Sequence, residues 1–298
     1  MSRVTTSSTT SLMLRDIQAA QWGLTKIQGQ IASNKRIQIA SDDPGAALAS
    51  LGNRAELRRS EQLGRNADRA TDWLNAADRA STSAVDLLTQ ARSLVVQATS
   101  GANDDTARLA IANQLRQIRE SLLSTANTQV GGRSIFAGTA AGAAYDASGT
   151  FTGDAGAVSA PVAAGVTMQI SRTGTEMFGT ADPLDPANGD IFQVLDAIAA
   201  AVQTNDAGTV QAALGKIDAA TTRVQNVQTE LGSRLTQLED LRTSAKARAQ
   251  DLNSQISELE DIDVAEAAIT LKAKELAYQS ALGVAGRILQ TTLLDFLR

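Results

Sequence analysis

The chain has 298 residues, a net charge of −5, neither cysteine nor histidine, and 3% aromatic residues. Disulfides, thiolate or imidazole metal sites and every histidine-based catalytic triad are therefore excluded. So few aromatics among abundant alanine favour slender helix-on-helix packing over one thick core, and an elongated molecule is expected.

Charge is unevenly placed. Residues 1–60 carry +4, 61–140 carry 0, 141–204 carry −6 and 205–298 carry −3, so the two chain ends have opposite signs and attract if they lie side by side. Basic residues are interleaved with acids, which speaks against nucleic acid as a partner. The longest apolar run, Ala197 to Val202, is too short for a signal-peptide core or a membrane span, so any exit from the cytoplasm is expected to use another route.

After a Ser/Thr-rich start, Ile17, Leu24 and Ile31 recur every seven residues, with Leu14, Ala20 and Ile27 on neighbouring faces, which predicts a first helix. It ends at "NKRIQIASDDPGAALAS", Asn34 to Ser50, where Ile37 and Ile39 alternate with polar residues as in extended chain. Ser41, Asp42, Asp43 and Pro44 then announce a second helix through an acidic cap and a proline placed where a first-turn N–H is unpaired anyway. Leu48, Leu51, Ala55 and a run from Leu63 to Leu94 keep helical spacing to about Ser100. That makes a rod of roughly 80 Å, with Gly64 the natural place for a kink. A turn and a second acidic cap at 100–105 lead into a helix carrying Leu115, Ile118 and Leu122.

Residues 131–190 hold 11 of the 22 glycines and three of the four prolines, and the helical period disappears. Val166, Met168 and Ile170 alternate, which predicts short strands in a β-rich insert that tolerates partial deletion between 141 and 180. Helices resume near Ile191. From Val224 a heptad pattern runs Leu231, Leu238, Ala245, Leu252, Leu259 and Leu235, Arg242, Ala249, Ile256, expected to pack on a helix of the first half. A last helix carries Ile269, Leu276, Leu282 and Ile288, and Leu293, Leu294, Phe296 and Leu297 at the end are exposed unless a partner receives them.

The predicted fold is mainly α, long helices from both chain ends forming an elongated coiled-coil bundle around a small β-rich insert. Its segments are 1–43, an assembly arm and joint; 44–130 and 191–260, the two halves of a helical bundle; 131–190, the insert; and 261–298, a second arm. No catalytic, cofactor or metal site is expected. Glu258, Glu260, Asp261, Asp263 and Glu266 fit no metal loop and read as helix-end capping. The glycines of "QVGGRSIFAGT" match neither the dinucleotide fingerprint nor the P-loop.

With these residues in view, the chain resembles the flagellin superfamily, and within it the hook-associated junction branch. Arg3-Val4-Thr5, Lys35-Arg36-Ile37, Ser41-Asp42-Asp43-Pro44, Gly131 to Thr139, Glu260 to Leu271 and the terminal "LLDFLR" carry the resemblance. Pro44 and the Ile135-Phe136-Ala137-Gly138 stretch favour the junction branch over filament flagellin, and Asn34 stands where the family usually has glycine. The resemblance implies a structural role without catalysis and export unfolded through the flagellar type III pathway. It also implies terminal arms that order only on assembly into an inner coiled-coil tube. Ile17, Leu24, Ile31, Leu282, Ile288, Leu293, Leu294, Phe296 and Leu297 would line these arms, Asn34 to Asp43 would link the tube to the outer bundle, and Asp42-Asp43-Pro44 would restart that bundle at a fixed angle. Implied partners are neighbouring copies, a sister hook-associated protein, flagellin and an export chaperone on the C-terminal arm, with no nucleic acid or membrane. Replacing Leu294 and Phe296 by alanine is then expected to abolish joining to the filament while the middle stays folded. The alternatives are a filament subunit or a cytoplasmic coiled-coil scaffold.

Overall fold

The computed structural model describes residues 6–100, 104–180 and 189–296, with side chains from 11 to 287 among them. Helix α1 spans Thr6–Ser33, α2 Pro44–Thr99 and α3 Asp105–Ala126. Four short strands follow, β1 Gln129–Val130, β2 Arg133–Ser134, β3 Ser159–Ala163 and β4 Val166–Gln169, paired as two antiparallel hairpins. The chain then forms α4 Gly174–Phe178, α5 Ile191–Thr204, α6 Ala207–Glu260 and α7 Val264–Phe296. Among the described residues no helix is long and apolar enough to cross a membrane. Two compact units result, one from the chain ends, Met1–Arg59 with Arg248–Arg298, and one from Ser60–Ala247.

Local sequence explains the helix ends. Asp104 caps α3 by accepting from the Ala107 N–H, and Asp190 caps α5 by accepting from the Phe192 N–H. Asn205 breaks α5 from α6 in the left-handed conformation, φ 56°, and Asp206 restarts the chain by accepting from both the N–H and the hydroxyl of Thr209. Helix α2 continues unbroken through Gly64.

In the Ser60–Ala247 unit, α2 and α6 lie side by side. Arg92 pairs with Asp218 at 2.7 Å, Asp68 with Arg242 at 2.8 Å, and the Ser60 hydroxyl donates to the Ala245 carbonyl. Alanines Ala67, Ala70, Ala77, Ala84 and Ala91 are buried along α2, with Ile217, Val224, Leu231 and Leu238 buried along α6. Such small residues allow close helix approach, as the low aromatic content implies. Arg242, the one cation in the expected heptad seam, is exposed and turns to Asp68.

The β-rich segment lies where the sequence predicts it, but it has no core of its own. Phe136, Tyr145 and Phe178 meet Phe192 of α5 in a cluster with centroid separations of 4.9 to 5.8 Å, continuous with the helical core. Deletions between 141 and 180 thus remove part of the helices' own packing, contrary to the tolerance expected from sequence. The Ile135-Phe136-Ala137-Gly138 stretch enters this same core. Its first three residues are buried, and Gly138 turns with φ 71° so close to Asp154 that a β-carbon would stand 2.1 Å from Oδ1.

Candidate functional site: the joint between the chain ends

The unit built from the chain ends holds the residues that the sequence singles out. Helix α1 closes through a left-handed Asn34, φ 54°, with the Lys35 N–H donating to the Gln30 carbonyl at 3.1 Å and the Asn34 N–H to Ile31 at 3.3 Å. This six-to-one closure normally takes glycine at the left-handed residue, and asparagine is the next best choice. Asn34 therefore suits this position without strain.

Beyond Asn34 the chain pairs with the α6–α7 connection. Lys35 sits opposite Asp261 in an antiparallel bridge, the Arg36 N–H donates to the Glu260 carbonyl at 2.6 Å, and the Ile262 N–H donates to the Asn34 carbonyl at 3.4 Å. The Arg36 guanidinium donates to the Leu259 carbonyl at 2.8 Å and to Asp43 at 3.1 Å. Two carbonyls at the end of α6, which have no partner within the helix, are thus satisfied from the other end of the chain.

The extended stretch expected at Ile37 and Ile39 is instead a series of turns. The cause is Asp42, whose Oδ2 accepts from the Gln38 N–H at 3.0 Å and the Ile39 N–H at 3.2 Å, curling the chain back on itself. Its Oδ1 lies 2.7 Å from Lys26 Nζ on α1. Lys26 and these amides push the Asp42 carboxyl down to about 2. Asp43 is the cap of α2, accepting from the Ala46 N–H at 3.0 Å, and that N–H, with Arg36, lowers its pKa. Pro44 takes the first helical position, and Ser41 lies exposed in the turn.

The most heavily engaged group was read from sequence only as a capping acid. Glu260, the last residue of α6, has a side chain only 12% exposed. Its Oε1 accepts from the Ser50 hydroxyl and from Arg54 Nε at 2.9 Å, and its Oε2 lies 2.6 Å from Arg54 Nη2 and 3.3 Å from Lys35 Nζ. The Arg54 fork, helped by Ser50 and Lys35, holds the carboxyl down at about 2. Beside it Asp261 Oδ1 lies 2.5 Å from Lys35 Nζ while Oδ2 accepts from Ser257, and both contacts lower its pKa. The opposite charges of the two ends were the sequence signal that these acids meet cations of the other end. Asp263 does cap α7, accepting from the Ala265 and Glu266 N–H groups. Among the described residues no group of three acids is placed to hold a metal.

From this joint α1 and α7 run antiparallel and pack on each other. Gly23 faces the Lys274 side chain, and Met13 and Ile17 share a groove with Ala281 and Val284. Ile17, Leu24 and Ile31 are half-buried in this seam and Ile27 is buried. The opposing face of α7 is made of Ala267, Leu271, Tyr278, Ala281 and Ala285. Ile269 and Leu276, expected as the apolar series of α7, point the other way and are 73% and 65% exposed, and Leu282 is exposed as well. Trp22 on α1 is 77% exposed, also away from the seam. Ile288, Leu293, Leu294 and Phe296 lie in α7 with side chains outside the described set, and Leu297 and Arg3-Val4-Thr5 lie outside the described residues.

A helical protein whose two ends are each other's partners, joined by ion pairs and apolar on their outer faces, is a subunit of an assembly. The profile of the bacterial flagellin N-terminal helical region matches residues 4–141, and that of the C-terminal helical region matches residues 214–297. Flagellar hook-associated protein 3 of Escherichia coli is 30% identical over 84% of this chain and 85% of its own length. A flagellar hook-associated protein from Vibrio parahaemolyticus superposes with a TM-score of 0.68 at 24% identity, over 74% of this chain and all of that one. The flagellar junction protein of Legionella pneumophila superposes at 0.58 with 15% identity, over 72% of this chain and 100% of its own. The chain belongs to the flagellin family, in the branch of hook-associated protein 3, and is a structural component of the bacterial flagellum.

Proposed function

We propose that this chain joins the flagellar hook to the filament through its paired terminal helices and works without catalysis, cofactor or metal. The observation that carries the reading is the placement of Trp22, Ile269 and Leu276. They lie on the outer faces of a helix pair whose seam is already filled. Exposed apolar rows of this kind are costly in water and are relieved by neighbours. The sequence relation to hook-associated protein 3 favours the junction role over that of filament subunit. Residues 1–43 and 261–298 then act as the assembly arms, and Asn34 to Pro44 links them to the outer bundle.

In this reading the chain travels by the flagellar type III pathway to the extracellular flagellum. Neighbouring copies, a sister hook-associated protein and flagellin are its partners there, and an export chaperone holds the C-terminal arm beforehand. Light scattering with sheared flagellar filament seeds tests the role. A junction subunit remains monomeric and does not elongate the seeds. Long filaments grown from this chain alone would make it a filament subunit, and a protease-resistant dimer under all conditions would make it a coiled-coil scaffold.

A further inference from the structure

Helices α2 and α6 meet each other through one face, where charges are paired within the chain: Arg92 with Asp218, Arg242 with Asp68 and Arg54 with Glu260. The faces turned away carry a second pattern. On α2, Leu51, Ala55, Arg58, Gln62, Arg65 and Arg69 follow alternating steps of four and three, and all are exposed. On α6, Asp240, Ser244, Ala247, Asp251, Ser254 and Glu258 take the same steps and are again all exposed. Such steps draw one line along a helix, the line against which a second helix lies. The first line is basic and ends at Asp72, its next member, while the second is acidic.

Charged ridges are ordinarily just solvated, but two observations set these apart. Among the described residues Arg58, Arg69, Asp240, Asp251 and Glu258 have no ion-pair partner, and Arg65 bonds to Gln62 of its own helix. Their spacing also matches. Arg58 and Arg69 are eleven residues apart, as are Asp240 and Asp251, about 16 Å along either helix. Laid antiparallel, the two lines bring Arg58 to Asp251 and Arg69 to Asp240 together, and the small Ala247 and Ser244 between them leave room for Gln62 and Arg65. One chain cannot make this contact with itself, because its own α2 and α6 already meet through their other faces.

A basic line repels a basic line and an acidic one an acidic one, so the contact is not two-fold. Helix α2 of one copy meets α6 of the next, and each copy keeps its second line for a further copy. Within the chain α2 and α6 run antiparallel, Ser60 standing by Ala245 and Arg92 by Asp218, so this pairing leaves successive copies pointing the same way. We propose that the basic line of α2 and the acidic line of α6 are the two halves of a head-to-tail interface between neighbouring copies of this chain. The proposal rests on the reading above that copies stand side by side in the flagellum. Each exposed pair contributes little affinity; the lines select which face meets which and in what direction.

The test uses the full chain, expressed in cells that lack the native copy, with its amount in isolated flagella and in the medium read by immunoblot. Arg58→Glu with Arg69→Glu, and separately Asp240→Arg with Asp251→Arg, should each lower incorporation about tenfold or more, since like charges then face one another. All four positions are exposed, so export into the medium and thermal melting of the free chain should match the parent. Combining all four substitutions restores opposite signs across the contact and should return incorporation to within about threefold of the parent. Parental incorporation of either double variant overturns the interface while leaving the hook–filament reading intact. Loss in the double variants without recovery in the combined one shows that something other than a second copy covers these lines, which also overturns it. Absence of the parent chain itself from flagella removes the hook–filament reading, and the interface with it.

Discussion

Phe178→Ala measures how far the β-rich segment belongs to the helical core. The ring is 1% exposed and touches Phe136 at 5.6 Å, Tyr145 at 5.8 Å and Phe192 at 5.7 Å, two of these contacts edge-to-face. Truncating a fully buried phenylalanine costs about 3–5 kcal/mol, and the loss of two edge-to-face partners places this one near the upper half of that range. With an m-value of about 2 kcal/mol/M, the urea midpoint of the Ser60–Ala247 unit should fall by about 2 M. Far-ultraviolet circular dichroism reports the helices and near-ultraviolet dichroism the aromatic cluster, and the two transitions should shift together. If the aromatic signal alone moves, or the loss is below about 1 kcal/mol, the segment is a separate module and the shared core is a wrong reading.

Three further outcomes concern the joint and arms. Glu260 has a folded pKa of about 2, below its ordinary 4.5, so its stabilisation is complete above that ordinary value and is withdrawn as pH falls towards 2. Allowing for solvent screening this is about 1–2 kcal/mol, read as a loss of protection of the Arg36 and Ile262 amides in acid relative to their intrinsic exchange rates at the same pH, and Glu260→Gln should remove this share of the pH dependence while the part owed to Asp42, Asp43 and Asp261 stays. Asn34→Gly should change joint stability by less than about 0.5 kcal/mol, while Asn34→Val should cost about 1–2 kcal/mol, because a β-branched residue resists φ 54°. The Trp22→Ser, Leu276→Ser double variant should melt like the parent chain yet fail to enter flagella, and normal incorporation would show that these outer residues are not buried by neighbours.

Periodicity and end signals carried most of the architecture. Pro44 after two aspartates marked the start of α2, and the heptads through Leu231, Leu238 and Leu252 lay along the buried face of α6. What periodicity does not tell is which of two apolar stripes meets which partner. On α7 the larger residues Ile269 and Leu276 gave the stronger pattern, yet the seam with α1 uses alanines, whose stripe is faint in sequence. The turns at 37–43 were misread as extended because Asp42 outcompetes the β preference of Ile37 and Ile39 by accepting from the Gln38 and Ile39 amides. Glu260 and Asp261 were legible as capping acids only, since their cations lie more than two hundred residues away in the chain. The scarcity of aromatics likewise hid their concentration in one cluster around Tyr145.

If the chain works as proposed, the outer faces of α1 and α7 are buried by neighbouring subunits in the flagellum. Leu276→Cys places a lone thiol on the outer face of α7 in a chain without other cysteines, at a position now 65% exposed. Its rate of labelling by a small maleimide, measured on the free chain and on isolated flagella carrying the same variant, reads burial directly. Burial by neighbours makes the rate fall by about tenfold or more on incorporation, as for a side chain moved from solvent into a packed interface. Equal rates in the free and incorporated chain would contradict it.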